Sequence, residues 1–390
     1  VFMFNFDFYN PTYIVFGKDR LDELDVLVPK EAKVLITYGG GSAVRSGLID
    51  RIVKALGNRK VEQFGGIEPN PSLETCERAV AFIKEHGVDF VLAVGGGSVV
   101  DATKLIVMGA TYDGPVIEVM KASVPAVPVE MVPNPLPFGT VMTLPATGSE
   151  MNNGAVITYG DGKYPVFSNL IFPKFSMLDP TLTFTLPEKQ VKNGVIDTFV
   201  HTTEQYLTYP VEGRIQDRFS EGILKTMIEI GKETVENPEN YDIRANHVWA
   251  SALALNGLIG AGVPQDWATH LIGHELTATY HLDHGITLAI VLPALLEVKK
   301  ADKLEKLAQY ATRVWHITEG TNQEKADKAI AKTREFFESL GVSTHLKDYG
   351  LGEEAVDKIV KQLEAHGMTQ LGEKGDVTPE VAREILTRAL

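Results

Sequence analysis

Hydrophobic positions follow two different periods along the chain. Up to about residue 185 they fall in short apolar runs, each closed by a glycine- or proline-rich turn and followed by an amphipathic stretch. Lys33–Tyr38 predicts a strand that enters Gly39-Gly40-Gly41-Ser42, then a helix to about Leu56. Val61–Phe64 predicts a second strand, followed by the turn Glu68-Pro69-Asn70-Pro71 and a helix from Ser72 to about His86. Phe90–Val94 predicts a third, entering Gly95-Gly96-Gly97-Ser98 and a helix that begins near Val99. Strand, glycine turn and helix in repetition is the pattern of an open parallel sheet with ligands at the carboxyl ends of its strands. The opening VFMFNFDFYNPTYIVFG alternates aromatic and polar residues, as an extended arm or edge strand does; its aromatics suit packing on their own domain or on a second subunit. Val124 to Pro137 is proline-rich and predicts short hairpin-like strands, with a further strand at Gly139–Met142.

Beyond Leu186-Pro187 the period lengthens to that of helices. These are expected at about 188–209, 213–234, 241–262, 266–281, 286–298, 302–315, 322–340, 353–366 and 378–389. The expected fold is therefore an α/β domain over residues 1–187 and an all-helical domain over 188–390.

Composition narrows the function without naming it. The 390 residues carry a net charge of −14, which argues against a nucleic-acid or anionic-membrane partner, since either rewards a basic face. The longest apolar run, Phe90 to Ala110, is broken by Gly95-Gly96-Gly97, Asp101 and Lys104, so it reads as strand, turn and helix and not as a membrane span. The single cysteine, Cys76, excludes an intramolecular disulfide and a cysteine-built metal site, and fits a reducing cytoplasm. No stretch near the start has the pattern of a secretory signal.

Candidate chemistry concentrates in two helical segments. Asp266–Gly285 holds four of the ten histidines, with His270 and His274 four apart on one face and His284 just before Gly285. Asp197 and His201 are also four apart on one helical face. Two such helices with these faces opposed offer one carboxylate and two or three imidazoles to a single divalent cation, a donor set suited to Zn²⁺ or Fe²⁺. A lone histidine pair at that spacing is as readily a surface or core feature; the second pair strengthens the metal reading. In the first domain, Gly95–Ser98 leaves backbone N–H groups free to approach a pyrophosphate at a helix N-terminus, with Asp101 placed to accept from a hydroxyl. It is not the G-x-G-x-x-G fingerprint and could be a tight turn alone, but its place after an apolar strand favours phosphate. The hydroxyl- and amide-rich turn Thr143–Asn152 suits a ribose or carboxamide, or simply a side-chain-stabilised loop.

With GGGS after a strand, TLPATGSE, the Asp197/His201 pair and HLIGH…DHG in that order, the chain resembles the iron-containing (group III) alcohol dehydrogenase family. LITYGGGS, FGGIEPNP, LAVGGGSVVDATK, QDRFSEGIL, ALNGLIGAGVPQDWATH and GMTQLGE narrow the likeness to the butanol dehydrogenase and NADPH-dependent aldehyde reductase branch, over nearly the whole length. The resemblance implies a Rossmann-like dinucleotide-binding domain, an all-α domain and one divalent metal, Fe²⁺ or Zn²⁺. It implies Asp197, His201, His270 and His284 as metal ligands, with His274 off the metal and toward the nicotinamide. It places Asn70, Gly96, Gly97, Ser98, Asp101, Thr143, Thr147, Lys163 and Leu182 on the dinucleotide, beside the glycine turns Gly39-Gly40-Gly41-Ser42 and Gly95. NAD-selective members carry a carboxylate after the first strand; Tyr38–Ser42 has none, so NADP(H) is favoured, with NAD(H) as the alternative. The expected activity is hydride transfer between nicotinamide and a short-chain aldehyde or primary alcohol, in a cytoplasmic homodimer. The rivals are a glycerol-dehydrogenase-like polyol oxidoreductase, a dehydroquinate-synthase-like lyase, a metal-dependent hydrolase and a nucleotide-binding protein with a structural metal.

Overall fold

The computed structural model describes residues 2–122 and 134–390. Two compact units are present: Tyr9–Leu186, and Pro187–Leu390 together with the N-terminal arm through Phe8. The stretch 124–133 of the expected proline-rich hairpins lies outside the described residues, and 134–137 carry no strand.

Among the described residues the α/β unit has eight strands: β1 Tyr13–Phe16, β2 Lys33–Tyr38, β3 Lys60–Phe64, β4 Phe90–Gly95, β5 Phe138–Met142, β6 Gly154–Tyr159, β7 Gly162–Phe167 and β8 Phe175–Leu178. Six form one sheet in the order β1-β8-β5-β4-β2-β3, every pair parallel. Its helices are α1 Leu24–Leu27, α2 Ser42–Arg45, α3 Leu48–Leu56, α4 Leu73–His86, α5 Gly97–Thr111 and α6 Val116–Ala122. Both faces of the sheet are covered, which is why its strands read as unbroken apolar runs. Val91 and Ala93 of β4 join a core with α4, α5 and α6, while Phe90, Leu92 and Val94 join a second core with α1 and α3. Chain order reverses between β2 and β4, so the carboxyl ends of those two strands border the switch point where open α/β sheets take ligands.

Two features of this unit depart from the sequence pattern. The helix expected from Ser42 to Leu56 is two helices, broken at Gly47, whose φ of +81° lies in the left-handed region. Strand β8 and the antiparallel hairpin β6–β7 lie in a span for which the sequence predicted no element, with the hairpin turning at Gly160-Asp161. Gly139 sits opposite Phe175, where a Cβ would lie 2.3 Å from the ring; its lack of a side chain admits the aromatic between β5 and β8.

The second unit consists of α7 Glu188–Tyr206, α8 Arg214–Glu236, α9 Tyr241–Leu253, α10 Ala268–Tyr280, α11 His284–Val298, α12 Leu304–Trp315, α13 Asn322–Ser339, α14 Glu353–Ala365 and α15 Pro379–Arg388. Helix α9 stops at Leu253, well short of the expected 262, and the chain beyond it turns at Gly257 and Gly262, which take positive φ of 94° and 72°. The arm crosses that loop: Phe4 N donates to Gly262 O, and Phe6 packs on the Gly262 backbone. Among the described residues, no helix is long and apolar enough to cross a membrane.

Candidate functional site

Helices α7, α10 and α11 bring four distant residues to one point. Asp197 and His201 lie four apart on α7; His270 is in the first turn of α10, and His284 opens α11. Two glycines allow the close approach: a Cβ on Gly285 would lie 2.7 Å from Asn193 Cα on α7, and one on Gly273 would lie 2.7 Å from Thr287 Oγ1 on α11. The Nε2 atoms of His201, His270 and His284 stand 3.3, 3.2 and 3.0 Å from the same atom, Asp197 Oδ1. Ligand atoms around one cation with bonds of about 2.1 Å lie roughly 3.0–3.4 Å apart in octahedral or tetrahedral arrangement, so this spacing is that of a shared ion. The second oxygen, Asp197 Oδ2, is buried and has no hydrogen-bond partner. A buried carboxylate oxygen without a donor costs free energy that a cation removes, so the donor set fits a divalent metal. Donor atoms of Asp197, His201 and His270 all fall within 4.8 Å of one another.

The charges keep Asp197 ionised and His201 neutral, whereas His270 holds a proton that a binding cation would have to displace. Burial alone raises the Asp197 carboxyl, but His201, His284 and His270 more than offset it and hold it well below the usual carboxylate range. Burial pushes His201 down to about 3, leaving a neutral imidazole. For His270 burial is outweighed by the Glu204 and Asp197 carboxylates, and the ring is raised to about 9.

Glu204 is the residue the sequence reading missed. Its Oε2 accepts from His270 Nδ1, which leaves Nε2 directed at Asp197. Its Oε1 accepts from Thr269 N at 2.9 Å and its backbone oxygen from Asp266 N at 2.8 Å, so one residue of α7 fixes the start of α10. A carboxylate behind a ligating histidine sets the tautomer and ring orientation. The signal was present: Asp197, His201 and Glu204 fall at 0, +4 and +7 along one helical stripe. His274 stands apart from the cluster about Asp197 Oδ1, with its ring 6.1 Å from that of His270 and 5.6 Å from that of His284.

In the α/β unit the two glycine turns close β2 and β4. Helix α5 starts at Gly97, capped by Gly96, which turns the N–H groups of the first turn outward. A Cβ at Gly97 would lie 2.3 Å from Thr147 Oγ1, and one at Gly96 would lie 3.1 Å from Leu144 Cβ. Thr143 N donates to Gly95 O at 2.9 Å, joining the hydroxyl-rich turn to the same strand end. Asn70 N meets Ser98 Oγ at 3.3 Å, and Asn70 Oδ1 accepts from Lys163 Nζ at 2.6 Å. At the other turn Arg45 Nη1 reaches back to Gly40 O at 3.4 Å, over Gly41 and beside Ser42. Leu182 packs in the core cluster that also takes Tyr38 and Ala43. Asp101 differs from the expectation of a group waiting for a hydroxyl: Oδ1 accepts from Ser149 Oγ at 2.6 Å and Oδ2 from Val156 N at 3.0 Å. The unforeseen β6 strand supplies the second of these donors, which is why the sequence did not reveal the bond.

Two family profiles cover this chain: that of the iron-containing alcohol dehydrogenases matches residues 11–180, and that of the family's C-terminal region matches 191–381. The chain belongs to the iron-containing alcohol dehydrogenase family. It is 54% identical to the NADPH-dependent aldehyde reductase YqhD of Escherichia coli K12, over 99% of this chain and all of the relative. It is 37% identical to the NADH-dependent butanol dehydrogenase A of Clostridium acetobutylicum, over 99% of this chain and all of that one. A solved substrate- and cofactor-free form of the E. coli aldehyde reductase superposes with a TM-score of 0.93 at 51% identity, covering 99% of this chain and all of the other.

Proposed function

We propose that this protein is a metal-dependent, NAD(P)H-linked aldehyde reductase that interconverts short-chain aldehydes and primary alcohols. The observation that carries the reading is the convergence of three imidazole nitrogens on Asp197 Oδ1, beside a buried and partnerless Oδ2. Asp197, His201, His270 and His284 are assigned as ligands of one Fe²⁺ or Zn²⁺, and Glu204 as the group that orients His270. When bound, the cation supplies Lewis-acid polarisation of the carbonyl as hydride arrives from the nicotinamide. His274 is assigned to the catalytic side of the centre, next to the ligand rings, where it can hold or relay a proton.

The dinucleotide is assigned to the α/β unit. The first turn of α5, with Gly95, Gly96, Gly97 and Ser98, takes the pyrophosphate at a helix N-terminus. Asn70, Thr143, Thr147, Lys163 and Leu182 flank it, while Asp101 supports it through Ser149. Gly39, Gly40, Gly41 and Ser42 take the adenosine side. No carboxylate stands there and Arg45 folds over Gly40, so a 2′-phosphate is met by a guanidinium and NADPH is preferred to NADH. The NADPH-dependent relative at 54% identity is in keeping with that preference.

The exposed arm aromatics Phe2, Phe4, Phe6 and Phe8, with the edge strand β1, support a homodimer, and the lone buried Cys76 supports a cytoplasmic setting. The deciding experiment is a panel of short aldehydes assayed with NADPH and NADH, with metal measured on the same preparation. Aldehyde-dependent oxidation of NADPH by metal-loaded protein is expected. Product formation without nicotinamide turnover would transfer the centre to a hydrolase.

A further inference from the structure

Lys104 lies two turns into α5, in a stretch where every residue from Ala102 to Gly109 is buried. Its side chain has no exposed surface, yet Nζ donates to Ser149 O, Ser149 Oγ, Asn152 Oδ1 and Gly154 O, each at 2.8 Å. An ammonium has three N–H groups, so four acceptors enclose it completely. Burying such a group is costly unless its donors are met, as they are here. All four acceptors belong to one short stretch, 149–154. One turn earlier on α5, Asp101 accepts from Ser149 Oγ and from Val156 N. An anion and a cation three residues apart on one helix therefore grip the same stretch of chain. The connection continues outward: Ser149 N donates to Thr147 Oγ1 at 3.2 Å, the atom that stands over Gly97.

We infer that Lys104 is a positioning residue for dinucleotide binding: by fixing the 149–154 turn against α5, it sets how closely Thr147 stands over the N-terminal turn at Gly97 and Ser98. The inference rests on the dinucleotide reading proposed above. An unbranched apolar side chain would occupy most of the same space and leave inward-facing acceptors unpaired, each a buried polar group without a donor. The turn would then relax toward water, and Thr147 would move with it.

Lys104→Met keeps the chain as far as Cε and removes the ammonium donors. Dissociation constants for NADPH and NADH are read from nucleotide fluorescence on metal-loaded protein, with melting temperature and bound metal measured alongside. The expected result is a weakening of both nucleotides by a similar factor, about tenfold or more given a lost charge-assisted hydrogen bond. KM for the nucleotide should rise by that factor while kcat changes little and bound metal stays the same. Ser149→Ala removes one acceptor and the Asp101 donor; a smaller shift in the same direction is expected, and it serves if the methionine variant does not fold. Unchanged nucleotide affinity with only a lower melting temperature would overturn the inference, as would a loss confined to kcat. Wild-type protein that binds neither nucleotide would remove the dinucleotide reading itself, and this inference with it.

Discussion

The turn at Gly95–Ser98 offers backbone N–H groups and depends on the absence of side chains, whereas the cluster at Asp197 offers side chains from three helices and depends on each of them. The first is built from four consecutive residues and is held in shape by groups behind it. The second spans 87 positions, from Asp197 to His284, and has no existence until α7, α10 and α11 are packed. Their buried carboxyls differ in the same way. Asp197 is surrounded by imidazoles and held below its ordinary range, while Glu150, behind the glycine turn, is pushed by burial up to about 7. One unit places charge where a cation would compensate it; the other carries an acid whose neutral form suits its surroundings.

Substitution at either site should separate the two. The largest effect is expected from His270→Ala, which removes one of the converging donors. Lewis-acid polarisation is worth several kcal/mol, so turnover should fall about 10³-fold or more, with bound metal lost and NADPH affinity retained. Measured metal content and nucleotide titration check both halves, and full activity in the metal-stripped variant would break the assignment.

Next in size is a pH effect on stability from Glu150. Its folded value of about 7 lies above the ordinary 4.5, so the stabilisation it contributes is complete below about pH 4.5 and is lost as pH rises through 7. The loss amounts to about 3 kcal/mol. Glu150→Gln should therefore flatten the fall in melting temperature between pH 5 and 7.5; an unchanged slope would show that Glu150 ionises without cost.

Gly97→Ala sharpens the contrast from the other side. Its methyl would press on Thr147 Oγ1, and overpacking of this kind costs about 1–3 kcal/mol, roughly a 5- to 150-fold loss of nucleotide affinity, with metal content untouched. The smallest of these effects is expected from Glu204→Gln, which keeps the shape and weakens the hold on His270 Nδ1. Loss of such a partner costs about 10–100-fold in metal affinity or activity, read by competition with a chelator. Nucleotide binding should not change.

Local pattern carried much of this architecture. Strand β2 was legible to the residue and β4 and most of the C-terminal helices to within a few residues, because continuous apolar runs and 3.6-residue periods are properties of the chain itself. Strand β8 and the β6–β7 hairpin were not legible: short mixed segments become strands only when a neighbour accepts their hydrogen bonds. Among the candidate site residues, Asp197 and His201 share a helical face and were readable as a pair. Their convergence with His270 and His284 was read through family resemblance, since no local period links residues on different helices.

The amino-acid order alone determined where the chain turns, which stretches are helical, and that imidazoles and a carboxylate recur at one-turn spacing. Packing alone decided that Glu204 stands behind His270, that Asp101 is engaged by Ser149 and Val156, and that Lys104 sits among four acceptors. Hydrogen bonds act over about 3 Å, and which groups come that close depends on how helices and strands far apart in sequence approach one another. The glycines at 273 and 285 permit that approach, but only the packed helices show what it brings together.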